Sequence, residues 1–240
     1  MALIPAFVVS IAGYAYSLYY KRNDIADVLW PVGIASSAIT LFLIVDFPNV
    51  VLRLVVILIA IWATRLALHI GSRHFAKDQE DKRYARWRKD WQWVRTRSLF
   101  QVFILQAILM ALILSPVVVY VFSPGDIALW QILLGLWLFL LGFVFEVVGD
   151  WQLTQFLRDP SRYGLKKGDL MTKGLWSITR HPNYFGEICM WWGIAIITIH
   201  TLNVWQLIPA IIGPVVLTYL LYFVSGVRLS ERYWKQDFPK

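Results

Sequence analysis

Apolar positions along this chain do not alternate with polar ones at the period of a strand or a surface helix; they run together. Seven such runs, 2–20, 25–45, 50–70, 99–122, 127–148, 184–199 and 204–224, approach or exceed the roughly 20 helical residues that a hydrocarbon core requires. The pattern predicts an all-α, polytopic membrane protein of seven transmembrane helices. The turns 46–49, 123–126 and 200–203 hold neither Lys nor Arg. Outside the runs, basic residues fall in the alternate segments: Lys21 and Arg22, the loops 72–97 and 150–180, and the tail from Arg228. Basic residues mark the cytoplasmic side, so the expected topology has the N-terminus outside and the C-terminus cytoplasmic.

Composition agrees with that reading. The 240 residues are 58% hydrophobic and only 16% charged, with thirteen Trp and eleven Tyr suited to membrane interfaces. The length and the absence of a linker or repeat predict one membrane-embedded domain over 1–240. Residues 2–20 lack the basic start and cleavage site of a secretory signal and read as a retained helix. The single cysteine, Cys189, excludes an intrachain disulfide. The net charge of +8 is spread over the expected cytoplasmic loops without a nucleic-acid-binding module, so no nucleic-acid partner is expected; membrane lipids are.

Candidate chemistry gathers at two helix ends. In the fifth run Glu146 and Asp150 are four residues apart and share a helix face; ionisable groups at such depth usually face a wet cavity or a partner. The sixth run opens at Arg180-His181-Pro182-Asn183, where Pro182 suits a first helical turn. Asn183 and Glu187 then share a second polar face. The two faces predict one pocket between the fifth and sixth helices. Arg158, Arg162, Lys166, Lys167 and Lys173 lie between them. Singly they read as topology markers; together they would attract an anionic cofactor, with Arg158 and Arg162 the better phosphate forks. Earlier in the chain, Asp27, Arg65 and His69 fall inside runs, where they should either pair as a structural Asp–Arg bridge or line a cavity. The segment 73–97 reads as an amphipathic surface stretch. Gly-x-Gly-x-x-Gly after a strand, a P-loop, His-Glu-x-x-His and a Cys/His metal cluster are all missing, so no metal site is expected and any cofactor site must be built from helices.

The run Gly149-Asp150-Trp151-Gln152, with Gly174-Leu175-Trp176 and Arg180-His181-Pro182-Asn183-Tyr184-Phe185-Gly186-Glu187, resembles the bacterial branch of the steroid 5-alpha-reductase family. The resemblance implies a seven-helix, NADPH-dependent reductase of a bacterial inner membrane. It would pass hydride to the double bond of a hydrophobic enone, steroid-like or isoprenoid, taken from the bilayer. Asp150, Asn183, Tyr184 and Glu187 would line the cofactor site, with Arg180 and His181 beside it. Glu146, Arg158, Arg162, Trp176, Arg228 and Tyr233 complete the expected cofactor contacts. The family's carbonyl-polarising Glu and Tyr have no clear counterpart, and Asp27 with the Arg65–His69 face is the nearest. The Arg-His-Pro-x-Tyr element also resembles isoprenylcysteine carboxyl methyltransferases, which use S-adenosylmethionine. A non-catalytic lipid-binding protein is the third reading.

Overall fold

The computed structural model describes residues 3–46, 48–200 and 203–224. Among them the secondary structure is entirely helical. Among the described residues, five helices are long and apolar enough to cross a membrane: 25–43, 50–75, 94–113, 129–158 and 204–224. A shorter apolar helix precedes them at 4–20. The chain divides into two compact units, Met1–Gly125 and Asp126–Lys240.

In the first unit, α1 (Leu3–Tyr20), α2 (Ile25–Leu43) and α3 (Val50–Phe75) pack in sequence, α1 on α2 and α2 on α3. Asn49 starts α3 by accepting a hydrogen bond from the Leu52 amide at 2.9 Å, which satisfies one of the unpaired N–H groups of the first turn. Helix α3 runs to Phe75, five residues past the end of its apolar run, because the polar residues Ser72, Arg73 and His74 still form its last turns. Two short helices follow, α4 (Lys82–Asp90) and α5 (Val94–Arg97).

The apolar run 99–122 is not one helix. A π-helical stretch, Ser98–Ile104, leads into α6 (Leu105–Ile113). The helix then breaks at Leu114, and α7 (Ser115–Phe122) begins with Pro116 in its first turn. Proline carries no N–H for the preceding turn, so the break falls there.

The second unit is built on α8 (Leu129–Arg158) and α9 (Pro182–Thr198), with α10 (Val204–Tyr219) packed on α9 and extended by a π-helical turn, Leu220–Val224. Helix α8 continues ten residues beyond its apolar run, through Asp150, Gln152 and Gln155. Helices α8 and α9 run antiparallel in backbone contact. Glycines at positions 135, 142 and 149 of α8 meet Gly193, Gly186 and Pro182 of α9. A Cβ at Gly142 would lie 2.3 Å from the Gly186 carbonyl oxygen, and one at Gly193 would lie 2.6 Å from that of Gly135. Small residues let helix backbones approach this closely, as in membrane helix pairs generally.

Candidate functional site

The glycine seam determines where the polar groups of the second unit meet. Because Gly149 sits against Pro182 and the Asn183 backbone, the end of α8 and the start of α9 are held side by side. There Asn183 Nδ2 donates to Asp150 Oδ1 at 3.1 Å. One turn further along each helix, Gly186 presses on the backbone nitrogen and Cβ of Glu146, which places Glu146 next to the Glu187 turn. Glu146, Asp150, His181 and Glu187 are all buried, Glu146 to 2% exposure. Burial of that many ionisable groups is costly and calls for partners or a cavity, which makes this corner the candidate site.

The loop joining α8 to α9 packs onto the same corner. Trp176 is buried with Phe156 and Met171, and its indole Nε1 donates to the Gly149 carbonyl at 3.0 Å. The Leu175 amide donates to Gln152 Oε1 at 3.0 Å. Gly174 opens this turn at φ 63°, a conformation glycine adopts without a Cβ penalty. His181 stacks on Tyr184, with ring centroids 5.2 Å apart and planes 16° apart. Asn183 Oδ1 is a buried acceptor with no hydrogen-bond partner in the protein. Such an atom suits a ligand's N–H donor.

The predicted cofactor residues therefore separate into two groups. Glu146, Asp150, Trp176, His181, Asn183, Tyr184 and Glu187 come together at the α8–α9 corner. Arg158, Arg162 and Arg180 are exposed, and Arg162 donates to Gln155 Oε1 at 2.8 Å. Arg228 and Tyr233 lie outside the described residues.

The first unit holds a separate polar constellation. Asp27, in the first turn of α2, is not matched with Arg65. Its Oδ2 accepts from Arg83 at 2.6 Å and its Oδ1 accepts from the Tyr84 hydroxyl at 2.6 Å. Both partners lie on α4, which folds back over the α2 N-terminus; Tyr84 packs with Ile25, Ala26 and Val28. The Asp–Arg bridge thus exists with a residue 56 positions away. Arg65 and His69 remain one turn apart on α3, and Arg65 lines an open apolar depression with Ile57, Ile61 and Leu68.

Charges around Asp27 are paired as well. Arg22 spans Asp24 at 2.9 Å, Glu80 takes two bonds from Arg88 at 3.0 Å, and the Asn23 amide donates to Glu80 Oε1 at 2.6 Å. Burial, then the Asp27 carboxylate, pushes the Tyr84 phenol well above its ordinary range, so it keeps its proton. Asp27 itself holds the Arg83 guanidinium more firmly charged. Sequence reading missed Tyr84 and Arg83; their signal was the interleaved Glu80-Asp81-Lys82-Arg83-Tyr84 stretch, which carries no periodicity that would reveal its partner helix.

Taken together, the apolar helices and the buried polar corner define an all-α integral membrane protein with ionisable groups sunk among its helices. The chain belongs to the family described as "Protein of unknown function (DUF1295)", whose model matches residues 13–239. No curated protein and no solved structure matches it.

Proposed function

We propose that the protein is an NADPH-dependent membrane reductase of the steroid 5-alpha-reductase type, saturating the carbon–carbon double bond of a hydrophobic enone drawn from the bilayer. In this reading α1 and α9 join the five longer spans to make seven. The N-terminus is outside and the C-terminus cytoplasmic, in a bacterial inner membrane. The lack of Lys and Arg in the turns 46–49, 123–126 and 200–203 supports that orientation.

The observation that carries the reading is the Asn183 carboxamide. Its Nδ2 is spent on Asp150 while its Oδ1 remains a buried acceptor, at a corner that also buries Glu146 and Glu187. The residues there fit a nicotinamide cofactor: an acceptor for an amide N–H, buried carboxylates for hydroxyls, and the stacked His181–Tyr184 pair as an aromatic wall. Exposed Arg158, Arg162 and Arg180 suit phosphates. NADPH held there would supply the hydride for the β carbon of the enone, and a proton from solvent would complete the α carbon.

The chain's own residues do the rest. Asp150 orients Asn183, and Trp176 closes the corner against water by capping the Gly149 carbonyl. Asp27, with the Tyr84 hydroxyl on its Oδ1, is the first unit's candidate for polarising a ketone, since that phenol keeps its proton.

The test is a thermal-shift comparison of NADPH, NADH and S-adenosylmethionine on detergent-purified protein. A ligand at 100 times its Kd stabilises by about 2.7 kcal/mol. NADPH should raise Tm and S-adenosylmethionine should not. The reverse result moves the chain to the methyltransferase reading, and no shift with any of the three leaves a lipid-binding protein.

A further inference from the structure

The segment between the spans 50–75 and 94–113 sorts its charges by sign. Several acids in and around the stretch 76–97 are matched in ion pairs: Asp24 with Arg22, Asp27 and the exposed Asp81 with Arg83, and the part-buried Glu80 with Arg88. Arg22 also donates to the Lys77 carbonyl, so the turn and the segment form one surface. What stays exposed is mostly cationic. Lys77, Lys82, Lys89, Arg95 and Arg97 are exposed, against Asp78 and Asp90.

Large aromatic rings are interleaved with these cations. Trp93 is 71% exposed and Phe75 is 66% exposed. Trp87 is partly exposed and stacks on Trp91 with centroids 6.2 Å apart. Tyr84 is the buried residue of α4 and Arg83 ties the helix to Asp27, while Lys82, Trp87 and Lys89 of the same helix are exposed. Both ends of the segment run directly into apolar spans, which holds it within a few residues of the hydrocarbon boundary. Exposed Trp beside Lys and Arg at that depth is the chemistry of a headgroup contact: rings at the interface, cations on phosphate.

We propose that residues 76–97 form a docking surface for the anionic phospholipid headgroups of the bilayer that holds the adjoining spans. The surface is independent of any cofactor or reaction. Its charge comes from the exposed lysines and arginines, and its aromatic rings set the depth at which it rests. Each basic residue near an anionic surface contributes an attraction worth about a five-fold change in lipid partitioning.

The experiment uses the full chain, purified in a neutral detergent and exchanged into mixed phosphatidylcholine and phosphatidylglycerol. Retained lipids are then counted by native mass spectrometry. The wild type should retain phosphatidylglycerol preferentially, and less so as salt rises. Lys89→Gln alone should lower that preference about three- to five-fold, and Lys82→Gln/Lys89→Gln/Arg95→Gln at least about ten-fold, with helicity and Tm in neutral detergent unchanged. Lys166→Gln/Lys167→Gln/Lys173→Gln removes the same charge from the 159–181 segment and should leave the preference within about two-fold. An unchanged preference in both Lys89→Gln and the first triple variant overturns the proposal. Equal losses in the two triple variants overturn it too, since bulk charge would then suffice.

Discussion

Replacing Gly142 by Ala tests the seam that assembles the polar corner. The added Cβ would lie 2.3 Å from the Gly186 carbonyl oxygen, 2.9 Å from the Met190 backbone nitrogen and 2.9 Å from the Cys189 Cβ. Two of those neighbours are backbone, so no side chain can swing away. Real Cβ contacts essentially never fall below 3.0 Å, so the helices must part by at least about 0.7 Å. With backbone on two sides the cost falls in the upper part of the overpacking range, about 2–3 kcal/mol, against about 1 kcal/mol that alanine recovers over glycine in a helix interior. The net expectation is a loss of about 1–2 kcal/mol.

The site should register the same displacement. The Asn183–Asp150 hydrogen bond is already 3.1 Å long, and a shift of about 0.7 Å would carry it past bonding distance. Gly142→Ala should therefore lower the midpoint of denaturant unfolding, followed by circular dichroism in detergent, and should also weaken NADPH binding. Val144→Ala, on the exposed face of the same helix, serves as the control. A Gly142→Ala protein as stable as the wild type would refute the close packing, and with it the reason these polar groups share one corner.

Other expectations follow from single contacts. Asn183→Ala and Glu187→Ala should each reduce NADPH affinity about ten-fold or more by equilibrium dialysis, since a lost hydrogen bond to a charged group costs roughly 1.5–3 kcal/mol. With a 3-keto-4-ene steroid, Asp27→Asn should lower kcat far more than NADPH affinity; equal losses would make the Asp27–Arg83 bridge structural only. Burial would raise the Asp81 carboxyl, but Arg83 beside it holds it below the usual carboxylate range. Its stabilising share is therefore present above about pH 4 and lost as pH falls through the lower folded value, so Asp81→Asn should flatten the acid limb of unfolding. Lys21 sits at φ 55° in the α1–α2 turn, and Lys21→Gly should raise stability by about 1 kcal/mol in the same denaturation assay. Reporter fusions at Asp126 and Lys240 should report opposite sides of the membrane.

What the linear chain determines is the composition of each element. Runs of apolar residues at 25–45, 50–70 and 204–224 leave no alternative to helices in a medium without water, because every backbone N–H there must be bonded within its own segment. The pairing of Glu146 with Asp150, and of Asn183 with Glu187, is also read directly, since a spacing of four on a helix is a fixed geometry. Tertiary structure decides what meets across elements. That Asp27 takes Arg83 and Tyr84 depends on α4 folding back onto α2, a contact between residues 56 and 57 positions apart that no local pattern encodes. The break at Leu114 and the π-helical stretch 98–104 divide an apolar run of uniform appearance, because hydropathy does not sense which backbone hydrogen bonds a proline removes. The depth of the polar corner rests on glycines whose sequence spacing of seven is visible but whose partners are not. Only a packed pair of helices shows that a missing Cβ at Gly142 and Gly186 is what lets Asn183 reach Asp150.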